Sequence, residues 1–234
     1  MTSHAADCVQ ERAQEETVSS AWGPNAPTPG QLSEFFAQIK SGRMTRSRVQ
    51  AILRVDIRTE WQDFYARILG IEVDFSEVQI PEHKPEFDRV LIIAHGLLIS
   101  RALEACEFPH WCYWDDPDSA ITVDERSAVN SPPYAIRVRD CVEADDDLKG
   151  LSAENIEERG IKTQTVLERV LHELKFFDET KQHLDIKNIT LCAGSRGSDG
   201  FVPDVYWFSG KLFLSWSHPQ IVDPNLRARA VVSL

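Results

Sequence analysis

The chain has 234 residues, enough for one large domain or for a domain with an appendage. Its hydrophobic fraction of 42%, with 11 Phe, 6 Trp and 4 Tyr, can bury a packed core and excludes disorder of the whole. With 37 acidic against 25 basic side chains the net charge is −12, which repels phosphate and disfavours nucleic acid as a partner without excluding it.

The first twenty residues carry Asp7, Glu11, Glu15 and Glu16 where a secretory signal needs an apolar stretch. The longest uncharged apolar run, Val90 to Ser100, is eleven residues long and is interrupted by Gly96, too short to span a bilayer. A soluble cytoplasmic protein with no membrane association is therefore expected. The five cysteines, Cys8, Cys106, Cys112, Cys141 and Cys192, are odd in number and scattered, which fits small buried hydrophobes better than a disulfide framework.

Residues 1–30 read as a flexible tail, because Pro24, Pro27 and Pro29 with Gly23 and Gly30 cannot sustain a helix. Residues 31–70 read as helical. Leu32, Phe35, Phe36 and Ile39 recur at helix spacing up to Ser41-Gly42, and Thr45 can cap a second helix through Val49, Ile52 and Leu53. Thr59 with Gln62 forms a candidate capping box for a stripe of Trp61, Phe64, Tyr65, Ile68 and Leu69 that ends at Gly70.

Residues 71–234 read as an α+β domain. Expected in order are a short strand at Glu72–Val78, a buried strand at Arg89–Ala94, a helix at Leu97–Glu107 and an aromatic strand at Trp111–Trp114; the last three can form a right-handed βαβ crossover. Asp115 to Asp118 is a turn by composition. Tyr134–Arg139 alternates as a half-exposed strand, Ser152 caps a short helix, and Thr163 is a candidate cap for a longer one. That longer helix gathers Val166, Leu167, Val170, Leu171, Leu174 and Phe177 on one face. Strands at 189–192, 205–208 and 212–216 follow, the last two joined by the hairpin signal Ser209-Gly210. The fold class is thus α+β: an N-terminal helical segment, then a mixed or antiparallel sheet with the long amphipathic helix packed on one face.

Several of these stretches, Asn130 to Val138, Val142-Glu143-Ala144-Asp145, Leu151-Ser152-Ala153, Glu173-Leu174-Lys175 and Leu191 to Arg196 ahead of Ser198-Asp199-Gly200, resemble a group of uncharacterised bacterial proteins from uncultured lineages. The resemblance covers residues 31 to 231. It implies a soluble bacterial protein and assigns no activity, so it carries no catalytic residue, cofactor or partner over to this chain.

Motifs of known chemistry are incomplete. Cys106, His110 and Cys112 are residue types that hold zinc, but no Cys-x-x-Cys pair occurs and Pro109 restricts the turn, so a buried Cys106 on a helix and a surface His110 are expected instead of a metal site. His172-Glu173 begins a zinc-protease helix whose second histidine position is Phe176, leaving His172 as an expected solvent-facing residue near Glu168. Asp116-Pro117-Asp118 has the two carboxylates an aspartyl phosphatase needs, without the usual continuation. Asp145-Asp146-Asp147 lacks the alternating spacing of a calcium loop, and Gly-x-Ser-x-Gly is absent. No cofactor is called for.

The strongest candidate for ligand contact is the loop Gly194 to Gly200, where Ser195, Arg196, Ser198 and Asp199 sit among glycines in the composition of a phosphate cradle, though without a Lys-Ser/Thr ending. Charge is also uneven. Between Lys40 and Arg58 stand six basic residues against one acid, and between Asp140 and Gly160 eight acids against two bases. Pairing within the chain or with a protein partner is expected ahead of DNA contact. Three readings follow. The favoured one is a non-enzymatic binding or regulatory protein working through protein contacts. The others are an enzyme acting on a phosphorylated or anionic small molecule, and a DNA-binding regulator using Arg43, Arg46 and Arg48.

Overall fold

The structure, a computed structural model, describes residues 28–46, 48–49 and 56–234. Residues 1–27 of the expected tail, with Cys8, and the 50–55 part of the second expected helix, with Ile52, Leu53 and Arg54, lie outside the described residues. The chain divides into two compact units, one through residue 49 and one from residue 50. In the first, helix α1 (Pro29–Lys40) starts at a capping box, with the Thr28 hydroxyl accepting from the Gln31 amide and the Gln31 side chain accepting from the Thr28 amide, and it ends ahead of Gly42 in the left-handed region. None of its side chains is buried.

The second unit is α+β. Helix α2 (Ile57–Phe64) runs on as a wider π turn over Tyr65–Leu69 and stops at Gly70, whose φ of 64° is open to glycine at no steric cost. Its cap is Asp56, which accepts from the Arg58 amide, and not Thr59; an acid at that position also suits the positive end of the helix dipole. The expected stripe is the root of the core: Trp61, Phe64, Tyr65 and Leu69 are fully buried, and each such burial stabilises by about 1.5–3 kcal/mol. The buried Tyr65 hydroxyl donates to the Ile92 carbonyl and accepts from the Ala94 amide, so its polar end is satisfied.

Strand β1 (Arg89–Ile93) follows, then helix α3 (Ile99–Glu104), strand β2 (His110–Cys112), the single turn α4 (Pro117–Ala120), β3 (Ile121–Asp124), β4 (Tyr134–Val138), α5 (Ala153–Glu158), α6 (Val166–Thr180), β5 (Ile189–Leu191), β6 (Ser195–Gly197), β7 (Val202–Phe208), β8 (Lys211–Ser217) and β9 (Leu226–Arg227). They form three sheets: β1 with β4 antiparallel, β3 with β6 antiparallel, and a mixed five-stranded sheet in the order β2-β8-β7-β5-β9. Strands β5, β7 and β8 are the expected antiparallel set, closed by the Ser209-Gly210 turn with both residues at positive φ, while β2 and β9 join in parallel at the two edges.

Two expectations about connection are corrected. Because β1 pairs with β4 and β2 with β8, the β1–α3–β2 passage links different sheets and is not a βαβ crossover. Residues 72–78 make no ladder; Phe75 and Val78 are buried there as anchors for an extended segment.

Helix α6 runs through the middle of the unit and contacts α3, β1 and β7. Its cap is Thr165, whose hydroxyl accepts from the Glu168 amide while the Glu168 carboxylate accepts from the Thr165 amide. Thr163, the expected cap, instead bridges to Ala230. Every residue from Val166 to Phe176 is buried, including Glu168, Arg169, His172, Glu173 and Lys175. His172 is therefore a core residue and not a solvent-facing one. A smaller second core gathers Leu148, Ala153, Ile156, Leu191, Val202 and Leu226 on the other face of the large sheet.

Burying the polar face of α6 is made tolerable by pairing. Arg169 donates to Asp185 and Glu173; Arg229 donates to Asp185, to the Thr190 hydroxyl and to the Cys141 and Val142 carbonyls; Glu173 also accepts from the Leu184 amide and pairs with His183. The two guanidinium ions hold the Asp185 carboxyl below the usual range against full burial. Because Thr165 starts this buried helix, the Thr165→Ala variant is expected to lower unfolding free energy by about 1–2 kcal/mol, measured by urea denaturation at constant m-value.

Candidate functional site

The Gly194–Gly200 segment is a strand and turn more than a free loop. A side chain at Gly194 would meet the Thr163 carbonyl at 2.8 Å, so glycine is what lets β6 approach the chain ahead of α6. That approach places the buried Ser195 hydroxyl 2.9 Å from the Val166 amide at the first turn of α6, from which it accepts, while it donates to Asp124. Arg196 donates to the Ala193 and Ser195 carbonyls and reaches Glu157. The amides of Gly194, Ser195, Gly197, Ser198, Gly200 and Phe201 all donate within the protein, and Asp199 accepts the last of them. An anion seated here would have to displace those bonds. Ser198 and Asp199 are exposed, and the Ser198 amide donates to the Ala120 carbonyl, which makes this segment a neighbour of α4.

The Asp115–Asp118 turn serves local structure. Asp116 caps α4 and accepts from the Ser119 hydroxyl and amide; Asp118 accepts from the Ile99 amide at 2.7 Å and from the Ser100 amide, capping α3 from outside. Asp118 lines a depression of about 390 Å³ that no residue of the 194–200 segment lines. Cys106 is half-buried, and burial pushes its thiol up to about 12, which disfavours the free thiolate. Among the described residues no group of three His, Cys, Asp or Glu side chains converges as a metal site would require. In the acidic 140–160 stretch, Arg139 pairs with Asp145 and Asp147, Arg227 with Asp146 and Arg196 with Glu157. Of the basic residues, Arg43 and Arg48 are exposed, and Arg48 donates to the Arg43 carbonyl.

Two features are more distinctive. The first lies at the start of α6. Glu168 there accepts from Arg126 at 2.8 and 3.0 Å and from the Tyr134 hydroxyl, and Arg126 also donates to the Thr163 carbonyl. Asp124, held by Ser195 in the same cluster, has its carboxyl pushed up to about 6, chiefly by burial and further by Glu168, against the opposing effects of Ser195 and Arg126. Nothing in the sequence singles out Arg126, since its partner Glu168 sits 42 residues further along the chain.

The second feature is the open half of the five-stranded sheet. Alternation along the strands sends Trp111 of β2, Phe213 of β8 and Tyr206 and Phe208 of β7 to one face, with Tyr113 just beyond β2. The rings touch in a row: Tyr206 stacks on Phe213 at 5.3 Å, and Phe213 meets Trp111 at 5.5 Å and Phe208 at 6.3 Å. Trp111 is 43% exposed, Tyr113 49% and Phe208 63%. The signal was present in the sequence as the aromatic run Trp111 to Trp114, read only as a strand.

No family model, curated protein or solved structure matches this chain. No helix among the described residues is long and apolar enough to cross a membrane.

The Asp124 carboxyl holds its proton more tightly in the folded chain than in the unfolded one. Its contribution to stability is therefore fully present below the ordinary carboxylate range and is lost as pH rises through about 6. A carbon-detected NMR titration is expected to place its midpoint near that value. Ser195→Ala, which removes the hydroxyl that favours the carboxylate, is expected to move the midpoint upward.

Proposed function

We propose that this protein is a non-enzymatic binding module that works through protein–protein contacts, and that it binds with the open aromatic face of its five-stranded sheet. The observation that carries this reading is the contiguous row of Trp111, Tyr113, Tyr206, Phe208 and Phe213, three of them largely exposed. Large exposed aromatic side chains are what interface centres are made of, and a patch of them left exposed among the described residues marks a contact surface. The polar groups of the 194–200 segment and the Asp116–Asp118 turn, by contrast, are largely spent on internal bonds. A reducing, cytoplasmic setting suits the four free thiols of Cys106, Cys112, Cys141 and Cys192.

The chemistry around the patch selects the partner. Asp115 and Asp116 are exposed next to Tyr113, and the chain as a whole carries −12. Trp and Tyr faces attract guanidinium and ammonium groups, and neighbouring carboxylates add to that attraction. Strand β2 is an edge strand, so one side of its backbone is open to a further strand. The occupant is therefore an extended partner segment carrying Arg or Lys, added along β2 with its cations over Trp111 and Tyr113.

Calorimetric titration with a peptide alternating Arg and Val is expected to give binding that weakens with salt, and a peptide alternating Glu and Val none. Trp111→Ala and Phe208→Ser, both at exposed positions, are expected to weaken the basic peptide by about tenfold or more. Equal binding of the acidic peptide, or indifference to both substitutions, would overturn the reading.

A further inference from the structure

The depression of about 390 Å³ lies away from the aromatic row, bounded by the Leu97–Ile99 entry to α3, strand β3, residues 127–130 and Leu167 of α6. Its rim carries hydrocarbon beside the polar Thr122 and Asn130: Leu98, Val123 and Val129 are among the large apolar side chains that stand exposed. None of its lining residues is basic, and two, Asp118 and Asp124, are acidic. Asp118 is already occupied by the Ile99 and Ser100 amides. Asp124 is not: its Oδ1 accepts from Ser195, and its Oδ2 accepts no hydrogen bond from any described residue.

The nearby Arg126 charge acts on this carboxylate without hydrogen-bonding to it. Arg126 is committed to Glu168, Glu125 and the Thr163 carbonyl, and Glu168 adds negative charge behind Asp124. On the other sides stand Tyr134, the Ser195 hydroxyl and Asp118, none of which supplies a cation. A half-buried carboxylate with an unused oxygen, set in a hollow of mixed polar and apolar lining with no lysine, arginine or histidine among its lining residues, is complementary to a cation that carries its own hydrocarbon.

We propose that this depression is a binding site for a small organic ammonium ion, the ammonium paired with Asp124 and its hydrocarbon body lying against Leu98, Val123 and Val129. The ligand class is an alkyl or aralkyl amine, free or at the end of a side chain. Anionic and phosphorylated molecules are rejected by the same two carboxylates.

The test uses the full chain, with hexylammonium as probe and hexanol and hexanoate as controls of equal length. Methyl-detected NMR is expected to show saturable shifts confined to Leu98, Val123, Val129 and Leu167 with hexylammonium. Hexanol should bind at least about tenfold more weakly and hexanoate not at all. Binding should fade between about pH 8 and about pH 5 as Asp124 takes up its proton, whatever its neighbours Glu168, Arg126, Asp118 and Tyr134 contribute. Asp124→Asn should lose about tenfold or more in affinity. Val123→Lys, at an exposed rim position, should abolish binding with the unfolding midpoint unchanged, which keeps the test valid even if Asp124→Asn folds poorly. Equal binding of hexanol, shifts elsewhere on the protein, or full affinity in Val123→Lys would overturn the proposal.

Discussion

Asp185 is the residue on which the larger unit closes. Its backbone sits at a φ of 53°, a left-handed conformation that aspartate tolerates better than most residues with a side chain. Its amide donates to the Val142 carbonyl and its carbonyl accepts from the Trp207 amide. Its carboxylate receives Arg169 of α6, Arg229 of the C-terminal segment and Thr190 of β5. One buried side chain thus ties together the central helix, the large sheet and the end of the chain. Two guanidinium ions facing one carboxylate would leave excess positive charge, and Glu173 supplies the second acid. Nearby His172 is held neutral by burial and by Arg229, Arg89 and Arg169. Pairing of this kind adds little net stability against a hydrocarbon core, but breaking it strands a charge, so it dictates a single arrangement of the elements it joins.

Placing the polar face of α6 inside the protein has a consequence for function. The charged residues that a surface helix would offer to a partner or substrate are consumed in holding the fold. The two contact surfaces proposed among the described residues of the larger unit are the aromatic half of the sheet beyond the second core and the hollow between α3 and β3 at the start of α6. The first is aromatic with acids at its border, the second small and of mixed lining with two carboxylates, Asp118 and Asp124. Both favour cations, in keeping with the net charge of −12.

The helices and strands with strong periodicity were legible. The stripe from Trp61 to Leu69, the alternation of β4, the apolar face of α6 and the β7–β8 hairpin all stand where their patterns put them, because burial and turn chemistry act locally. Strands β3, β6 and β9 were not legible, being two to four residues long and, in β6, composed of Ser195, Arg196 and Gly197. Their identity comes only from distant partners. The same holds for the buried charges. Glu168, Arg169 and His172 follow the spacing of a solvated face, and nothing near them in sequence announces Arg126, Asp185 or Arg229. The glycine at 194 read as loop composition, whereas its purpose is a close approach to Thr163. Both candidate contact surfaces depend on which faces the tertiary fold leaves uncovered, which no local pattern encodes.

The most direct test of this account is a double-mutant cycle between Arg169 and Asp185, read by urea denaturation of Arg169→Met, Asp185→Asn and the pair. Asp185→Asn takes the carboxylate from both Arg169 and Arg229, and Arg169→Met takes a guanidinium from both Asp185 and Glu173, so each is expected to cost about 3–5 kcal/mol. The double change is expected to cost no more than about the larger single, giving a coupling of at least about 2 kcal/mol. Costs that add to within about 0.5 kcal/mol would contradict the claim that Asp185 and the helix it anchors act as one unit.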